Sequence, residues 1–213
     1  MPVTILDSRP VAPVTRRATV LFVDLRGYTG LAERVPPADL VPMLDEFFGL
    51  LAVTVERHLG EIFHVAGDGM LAGFGLEPEG RAAAGAAVAA AREMQDTFAA
   101  LGARWKSRLA LDTGIGVGIH AGEVARALLG PPGRPTATLL GDTVNVAARL
   151  CARARAGEIL FSAAVAAALR EAGADPDRLD GHADCRRLPA FQVRGRAEPL
   201  DIWCVPAPER RIV

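Results

Sequence analysis

The chain has 213 residues, half of them hydrophobic and 23% charged, with a formal net charge of −1. That length fits one domain or one and a half, and the apolar fraction with so little net charge excludes a disordered chain. The 22 Gly and 15 Pro follow no period, no apolar run reaches the length of a membrane span, and the N-terminus lacks the basic and apolar segments of a secretory signal.

Residues 1–17 carry three prolines without periodicity and read as an arm ending at Arg16-Arg17. Residues 18–23 form a β-branched and aromatic run fit for a buried strand, which Asp24 stops. Arg26-Gly27-Tyr28-Thr29 then turns into a helix. Pro36-Pro37 opens a second helix, whose apolar face is Leu40, Leu44, Phe47, Phe48, Leu51 and Val55, and Gly60 is expected to close it. Residues 62–65 and 70–74 flank Gly67-Asp68-Gly69 and predict a β-hairpin. The Ala-rich stretch 81–101 predicts a helix. Residues 115–119 alternate with glycine and predict a strand that packs closely against something.

Residues 138–140 predict a short strand broken at Gly141, and Asp142 or Thr143 is expected to cap a helix running to about Arg155. Residues 158–161 predict a strand, and Ser162 the N-cap of a helix over 163–172. Residues 173–188 read as polar and turn-rich. Residues 191–193 and 200–205 predict a final strand pair around Arg194-Gly195-Arg196. Strands interleaved with helices, plus a hairpin, imply an α/β (α+β) sandwich with helices packed on a sheet, without internal repeat or second domain.

Charge points to a local site. A net charge of −1 gives no broad reason to expect nucleic acid or an anionic membrane as partner. Cys151, Cys185 and Cys204 are odd in number and widely spaced, so they suggest neither a metal-ligand pair nor a disulfide framework, and a reducing cytoplasm is the simplest setting. Asp24 follows a buried strand and sits beside the amides that open a helix. It reads as a helix cap or as a metal–phosphate ligand. Asp68 alone reads as a turn residue. If the hairpin lies beside the first strand, however, both carboxylates leave the same sheet edge, and a divalent cation relieves their repulsion. Such hard oxygen ligands favour magnesium or manganese over zinc. Asn145 and Arg149 are i and i+4 on a helix, so an amide and a planar cationic fork share one face. The same spacing also fits a solvated polar face.

Five segments in this order resemble the class III nucleotidyl cyclases, the adenylyl and guanylyl cyclases. They are Leu21-Phe22-Val23-Asp24-Leu25-Arg26-Gly27-Tyr28-Thr29, Gly67-Asp68-Gly69, Gly118-Ile119-His120-Ala121-Gly122-Glu123-Val124, the run Leu140-Gly141-Asp142-Thr143-Val144-Asn145-Val146-Ala147-Ala148-Arg149-Leu150, and Gly157-Glu158-Ile159-Leu160. The resemblance covers residues 18–206, with 1–17 as an arm and 207–213 as a tail. It implies a ferredoxin-like βαββαβ core with further strands and a mostly antiparallel sheet, acting as a head-to-tail homodimer. It implies two metal ions, Mg2+ or Mn2+, held by Asp24, Asp68 and the Leu25 carbonyl. The amides around Gly27, Tyr28 and Thr29 would cradle the triphosphate. From the other subunit, Asn145 would orient the ribose and Arg149 would stabilise the α-phosphate in the transition state. Arg194, or Arg196 beside it, falls where the family has a phosphate-binding Lys.

Base choice in the family rests on two positions, occupied here by His64 and Thr138. Thr138 fits the adenine pattern. His64 replaces the usual Lys and could meet adenine or another base, since neutral imidazole donates or accepts according to tautomer; the alternative is that it packs in the hairpin. His120 reads as a core histidine of its strand. The reaction implied is ATP to 3′,5′-cyclic AMP and pyrophosphate, by in-line attack of the ribose 3′-hydroxyl on the α-phosphate. The alternatives are the same reaction on UTP, CTP or GTP, and a silent nucleotide-binding module that regulates a partner. A diguanylate cyclase is set aside because its Gly-Gly-Asp/Glu-Glu-Phe signature is missing. With no receptor, membrane or helical-linker segment ahead of the motifs, regulation is expected from dimerisation, the arm or a partner.

Overall fold

The computed structural model describes residues 14–77, 83–109, 111–131, 133–177, 185–192 and 198–207. In chain order the elements are β1 (Val14–Leu25), α1 (Tyr28–Ala32), α2 (Pro37–Arg57), β2 (Gly60–Ala66), β3 (Gly69–Phe74), α3 (Ala83–Leu109), β4 (Ile115–Leu129), β5 (Thr136–Leu140), α4 (Asp142–Arg153), β6 (Ile159–Ser162), α5 (Ala163–Glu171), β7 (Arg186–Phe191) and β8 (Leu200–Val205). Among the described residues they build one eight-stranded sheet in the order β2-β3-β1-β4-β6-β8-β7, with β5 paired to the far end of β4. The first four strands, with their helical crossovers, form the expected βαββαβ core. Its pairings are antiparallel, and β4–β6 is the parallel one among the described strands.

The sheet is covered on both faces, and β1 shows why. Its side chains alternate across the pleat. Leu21, Val23 and Leu25 enter the larger core, with Phe47 and Leu51 of α2 and Met94 and Phe98 of α3. Ala18, Val20 and half-buried Phe22 enter a second cluster with Phe63, Leu139 and Ala147 of α4. By the same alternation Asp24 points to the α4 face. A third cluster joins Val146 and Leu150 of α4 to Leu160, Ile202 and Cys204 beneath it.

Helix α4 lies antiparallel along β4, with glycines between them. The Thr143 hydroxyl donates to the Glu123 carbonyl at 2.7 Å. A Cβ on Gly122 would stand 2.5 Å from that hydroxyl, and one on Gly118 only 2.0 Å from the Cys151 amide nitrogen and 2.4 Å from the Ala147 carbonyl. The close neighbour expected from the glycine alternation is therefore the backbone of α4.

Several boundaries differ from the sequence reading, each for a local reason. β1 begins at Val14, because Val14 to Arg17 pair with Arg126 to Glu123 on the long extension of β4. Gly60 does not close α2. That helix ends at Arg57, Leu59 takes the left-handed turn at φ 58°, and Gly60 opens β2, where a Cβ would meet the Phe74 ring at 2.6 Å. Neither Asp142 nor Thr143 is the N-cap of α4; Gly141 is, and the Thr143 hydroxyl is committed to β4. Ser162 is the N-cap of α5, but its hydroxyl bonds His120 Nδ1 at 2.6 Å instead of capping, and His120 is buried as expected. The Ala-rich helix runs on to Leu109. Residues 186–188, read as turn-rich, belong to β7, while Val193 lies outside the described residues.

The Gly118 contact generates a stability prediction. Gly118→Ala forces α4 off the sheet and should cost about 2 kcal/mol or more, lowering the thermal midpoint by roughly 4–8 °C. Gly85→Ala, in α3 with nothing within 4 Å of its Cβ, should leave the midpoint unchanged or slightly raised. Calorimetry of the two variants beside wild type checks both.

Candidate active site

Asp24 is one residue from the end of β1, opposite Gly69 of β3 and Gly116 of β4. The hairpin turn puts Asp68 beside it: Gly67 takes φ 60°, and the Leu25 amide donates to the Asp68 carbonyl at 3.1 Å. Both strand partners of Asp24 are glycines, so no cross-strand side chain covers its carboxylate, which Asp68 and Arg26 approach instead. A Cβ on Gly69 would come within 3.5 Å of Asp24 Oδ1. The conditional expectation thus holds: the hairpin does lie beside the first strand, and both carboxylates meet at one edge.

The electrostatics record that meeting. The Asp24 carboxyl is raised from 3.8 to about 6, first by burial and then by the Asp68 charge and a hydrogen bond shared with it; Arg26 pulls the other way. Arg26 Nη1 donates to Asp24 Oδ2 at 2.8 Å, with 34% of the Asp24 side chain still exposed. Two crowded carboxylates suit a hard divalent cation. Among the described residues no group of three or more His, Cys, Asp or Glu side chains gathers to hold a metal ion. Two crowded carboxylates fit Mg2+ or Mn2+, which take their other ligands from water and substrate phosphates. The three thiols offer no such ligand: burial pushes Cys151 and Cys185 up to about 12 and Cys204 to about 11.

The remaining described candidates sit at the start of α1, on α4, and on β2 and β5. Gly27 adopts φ 80° as the N-cap of α1; Gly27 and Thr29 are exposed and Tyr28 is half-buried against the main core. On α4, Val146, Ala147, Leu150 and Cys151 are buried, Asn145 is exposed and Arg149 half-buried, so the i,i+4 pair leaves the packed side of the helix. His64 is exposed, just past a register shift at Phe63 in β2, so it does not pack in the hairpin. Thr138 is half-buried in β5, opposite Ala127. Phe63 and Leu139, neighbours in sequence to His64 and Thr138, share the second cluster. Asp24 is opposite Gly116 and Thr138 opposite Ala127, eleven residues along β4. At ~3.3 Å per residue that is about 36 Å of strand, longer than a nucleoside triphosphate. Arg194 and Arg196 lie outside the described residues.

The sequence reads Arg26 only as a turn residue. The signal that could have found it was the basic residue two positions after Asp24, facing the alternating glycines 114, 116 and 118.

Comparison with known proteins agrees with this architecture. The family model for the adenylate and guanylate cyclase catalytic domain matches residues 11–204. The uncharacterized protein Rv1318c of Mycobacterium tuberculosis is 36% identical over 159 residues, covering 73% of this chain and 28% of its own length. The chain thus spans little more than a quarter of that relative. The crystal structure of the guanylyl cyclase Cya2 aligns with a TM-score of 0.79 at 28% identity, over 94% of this chain and 96% of its own. The adenylyl cyclase CyaB from P. aeruginosa aligns with a TM-score of 0.80 at 26% identity, over 94% and 100%.

The raised carboxyl sets a pH dependence. Between pH about 4 and about 6 the folded state holds a proton on Asp24 that the unfolded chain has lost, so this group's contribution to stability falls as pH rises through that window. Without divalent cations, Asp24→Asn should therefore gain stability relative to wild type on going from pH 4.5 to 7. Denaturant midpoints of the two proteins at both pH values check it. Millimolar Mn2+ at pH 7 should raise the midpoint of wild type and not of the variant.

Proposed function

The chain belongs to the adenylate and guanylate cyclase catalytic domain family, and from that membership we propose that it converts ATP to 3′,5′-cyclic AMP and pyrophosphate at sites shared between the two subunits of a homodimer. The observation that carries the reading is the meeting of Asp24 and Asp68, with the Asp24 carboxyl raised first by burial and then by its neighbour. Mg2+ or Mn2+ bound by Asp24, Asp68 and the Leu25 carbonyl would supply charge that favours ionisation of the ribose 3′-hydroxyl and departure of pyrophosphate.

The chain's own residues then have the tasks of positioning and charge stabilisation. The 3′-oxygen forms its bond to the α-phosphorus, the bond from that phosphorus to the bridging oxygen breaks, and the hydroxyl proton leaves to solvent. The backbone at Gly27, Tyr28 and Thr29 binds the triphosphate tail. Asn145 orients the ribose, and Arg149 offers a planar fork to the α-phosphate as charge develops there. Arg194 is the proposed further phosphate ligand. The separation of Asp24 from Thr138 along β4 supports sharing, because one subunit cannot reach a whole nucleotide with both. In a head-to-tail pair, the carboxylates of one subunit face the Thr138, Asn145 and Arg149 of its partner.

Base choice falls to His64 and Thr138. Thr138 supports adenine, and the exposed imidazole of His64 supplies one donor or one acceptor to the base edge. That imidazole, standing where adenine readers of the family carry Lys, is the ground for a second reading: the same reaction on GTP, UTP or CTP.

Incubating the protein separately with ATP, GTP, CTP and UTP, with Mn2+ and then Mg2+, and identifying products by mass spectrometry tests the proposal. Cyclic AMP from ATP alone is the expected result. Another cyclic nucleotide would overturn the base and keep the chemistry, and no cyclic product from a folded dimer would favour a silent regulatory module. Arg149→Ala should lower kcat by roughly 10²–10³ with KM little changed, as loss of a single donor to developing charge does.

A further inference from the structure

The proposed reaction leaves Arg26 without a task, yet its guanidinium lies between the two halves of the apparatus. Nη1 donates to Asp24 Oδ2 at 2.8 Å, and Nη2 donates to the Cys151 carbonyl in the last turn of α4 at 2.7 Å. The backbone beneath is pinned too: the Arg26 amide donates to the Gly114 carbonyl at 2.7 Å, and the Thr113 hydroxyl donates to the Arg26 carbonyl at 2.5 Å. This placement has costs. Arg26 Nε is buried with no hydrogen-bond partner. Gly116 must lack a side chain, since a Cβ there would stand 2.4 Å from Nε and Nη2. What holds the side chain is its two ends: a carboxylate, and a helix C-terminal carbonyl that favours a cation.

Those ends serve different sites in the shared arrangement. Asp24 belongs to one composite site. Cys151 is two residues beyond Arg149 on the helix whose Asn145 and Arg149 serve the other. We propose that Arg26 is a positioning residue that couples the two sites of a dimer. It holds Asp24 while no divalent cation is bound, yields part of that hold when one binds, and passes the change to the C-terminal turn of α4. The inference rests on the cyclase reading above. Its physical basis is that a guanidinium keeps its charge at any working pH, so it and an incoming cation repel across one carboxylate. The planar fork meets the two ends with separate nitrogens, Nη1 and Nη2, a geometry that the single nitrogen of an ammonium does not reproduce.

Two measurements on the full chain test it, with Mn2+ alone as the probe. Binding is followed by the electron paramagnetic resonance signal of free Mn2+. Amide hydrogen exchange is followed at the end of α4, where the Ala154 amide bonds the Leu150 and Cys151 carbonyls. In wild type, Mn2+ should change exchange there. Arg26→Met should bind Mn2+ about tenfold tighter, because a competing cation is gone, and show no Mn2+-dependent change in α4. Arg26→Lys keeps the charge, so its affinity should stay near wild type while the α4 response is lost.

Wild-type or weaker Mn2+ affinity in Arg26→Met would overturn the inference, as would an undiminished α4 response in either variant. Should Arg26→Met not fold, the α4 response of Arg26→Lys decides. A wild-type chain that binds no Mn2+ would overturn both the coupling and the metal site. A chain that shows the coupling but yields no cyclic nucleotide would overturn the cyclase reading alone.

Discussion

Helix α4 rests on the backbone of β4, with no side chain between them at Gly118, where a Cβ would stand 2.0 Å from the Cys151 amide nitrogen. Three glycines in alternate register make the contact possible. Gly122 receives the Thr143 hydroxyl, Gly118 receives the turn from Ala147 to Cys151, and Gly116 receives the Arg26 guanidinium. Because strand side chains alternate, all three point to the same face. The opposite face of β4 carries Ile115, Val117 and Ile119, buried in the main core. One strand thus gives a dry core on one side and a smooth bed for a functional helix on the other. The positions of Asn145 and Arg149 follow from that bed.

The same alternation sets the acidic half. β1 sends Leu21, Val23 and Leu25 into the main core, and its even-numbered neighbours to the α4 face. Asp24 is therefore brought toward Asp68, Gly116 and α4. Burial first, and then the crowding of two carboxylates, raises the Asp24 carboxyl, and Arg26 offsets part of the rise. Charge repulsion held in place by a rigid sheet is an arrangement that a cation relieves.

Much of this was legible in the chain. The period-2 run ending at Asp24, the Gly67-Asp68-Gly69 tip and the i,i+4 pair on α4 are local patterns, and they placed the candidates on the right elements. The alternating glycines announce a close neighbour without saying which, since the partner is more than 20 residues away in sequence. Boundaries failed where tertiary contact overrode local signals. The first strand starts at Val14 because the β4 extension pairs with it, and Gly60 serves Phe74 and Val55 instead of ending a helix. The role of Arg26 is not legible in the sequence, because its partners, Asp24 and the Cys151 carbonyl, meet only when α4 is docked. The base-reading positions were legible as positions alone; an imidazole on an exposed strand carries no unique preference.

In the proposed homodimer, each chain supplies an acidic half and a cationic half, and a complete site takes one half from each subunit. Mixing two variants tests it most directly: Asp24→Ala, which loses the acidic half, and Arg149→Ala, which loses the cationic half. Each should be nearly inactive alone. After equal mixing and subunit exchange, half of the dimers are heterodimers with one intact site of two, so about a quarter of wild-type cyclase activity should return. No recovery from demonstrably exchanged dimers, or full activity of either variant alone, would contradict the account.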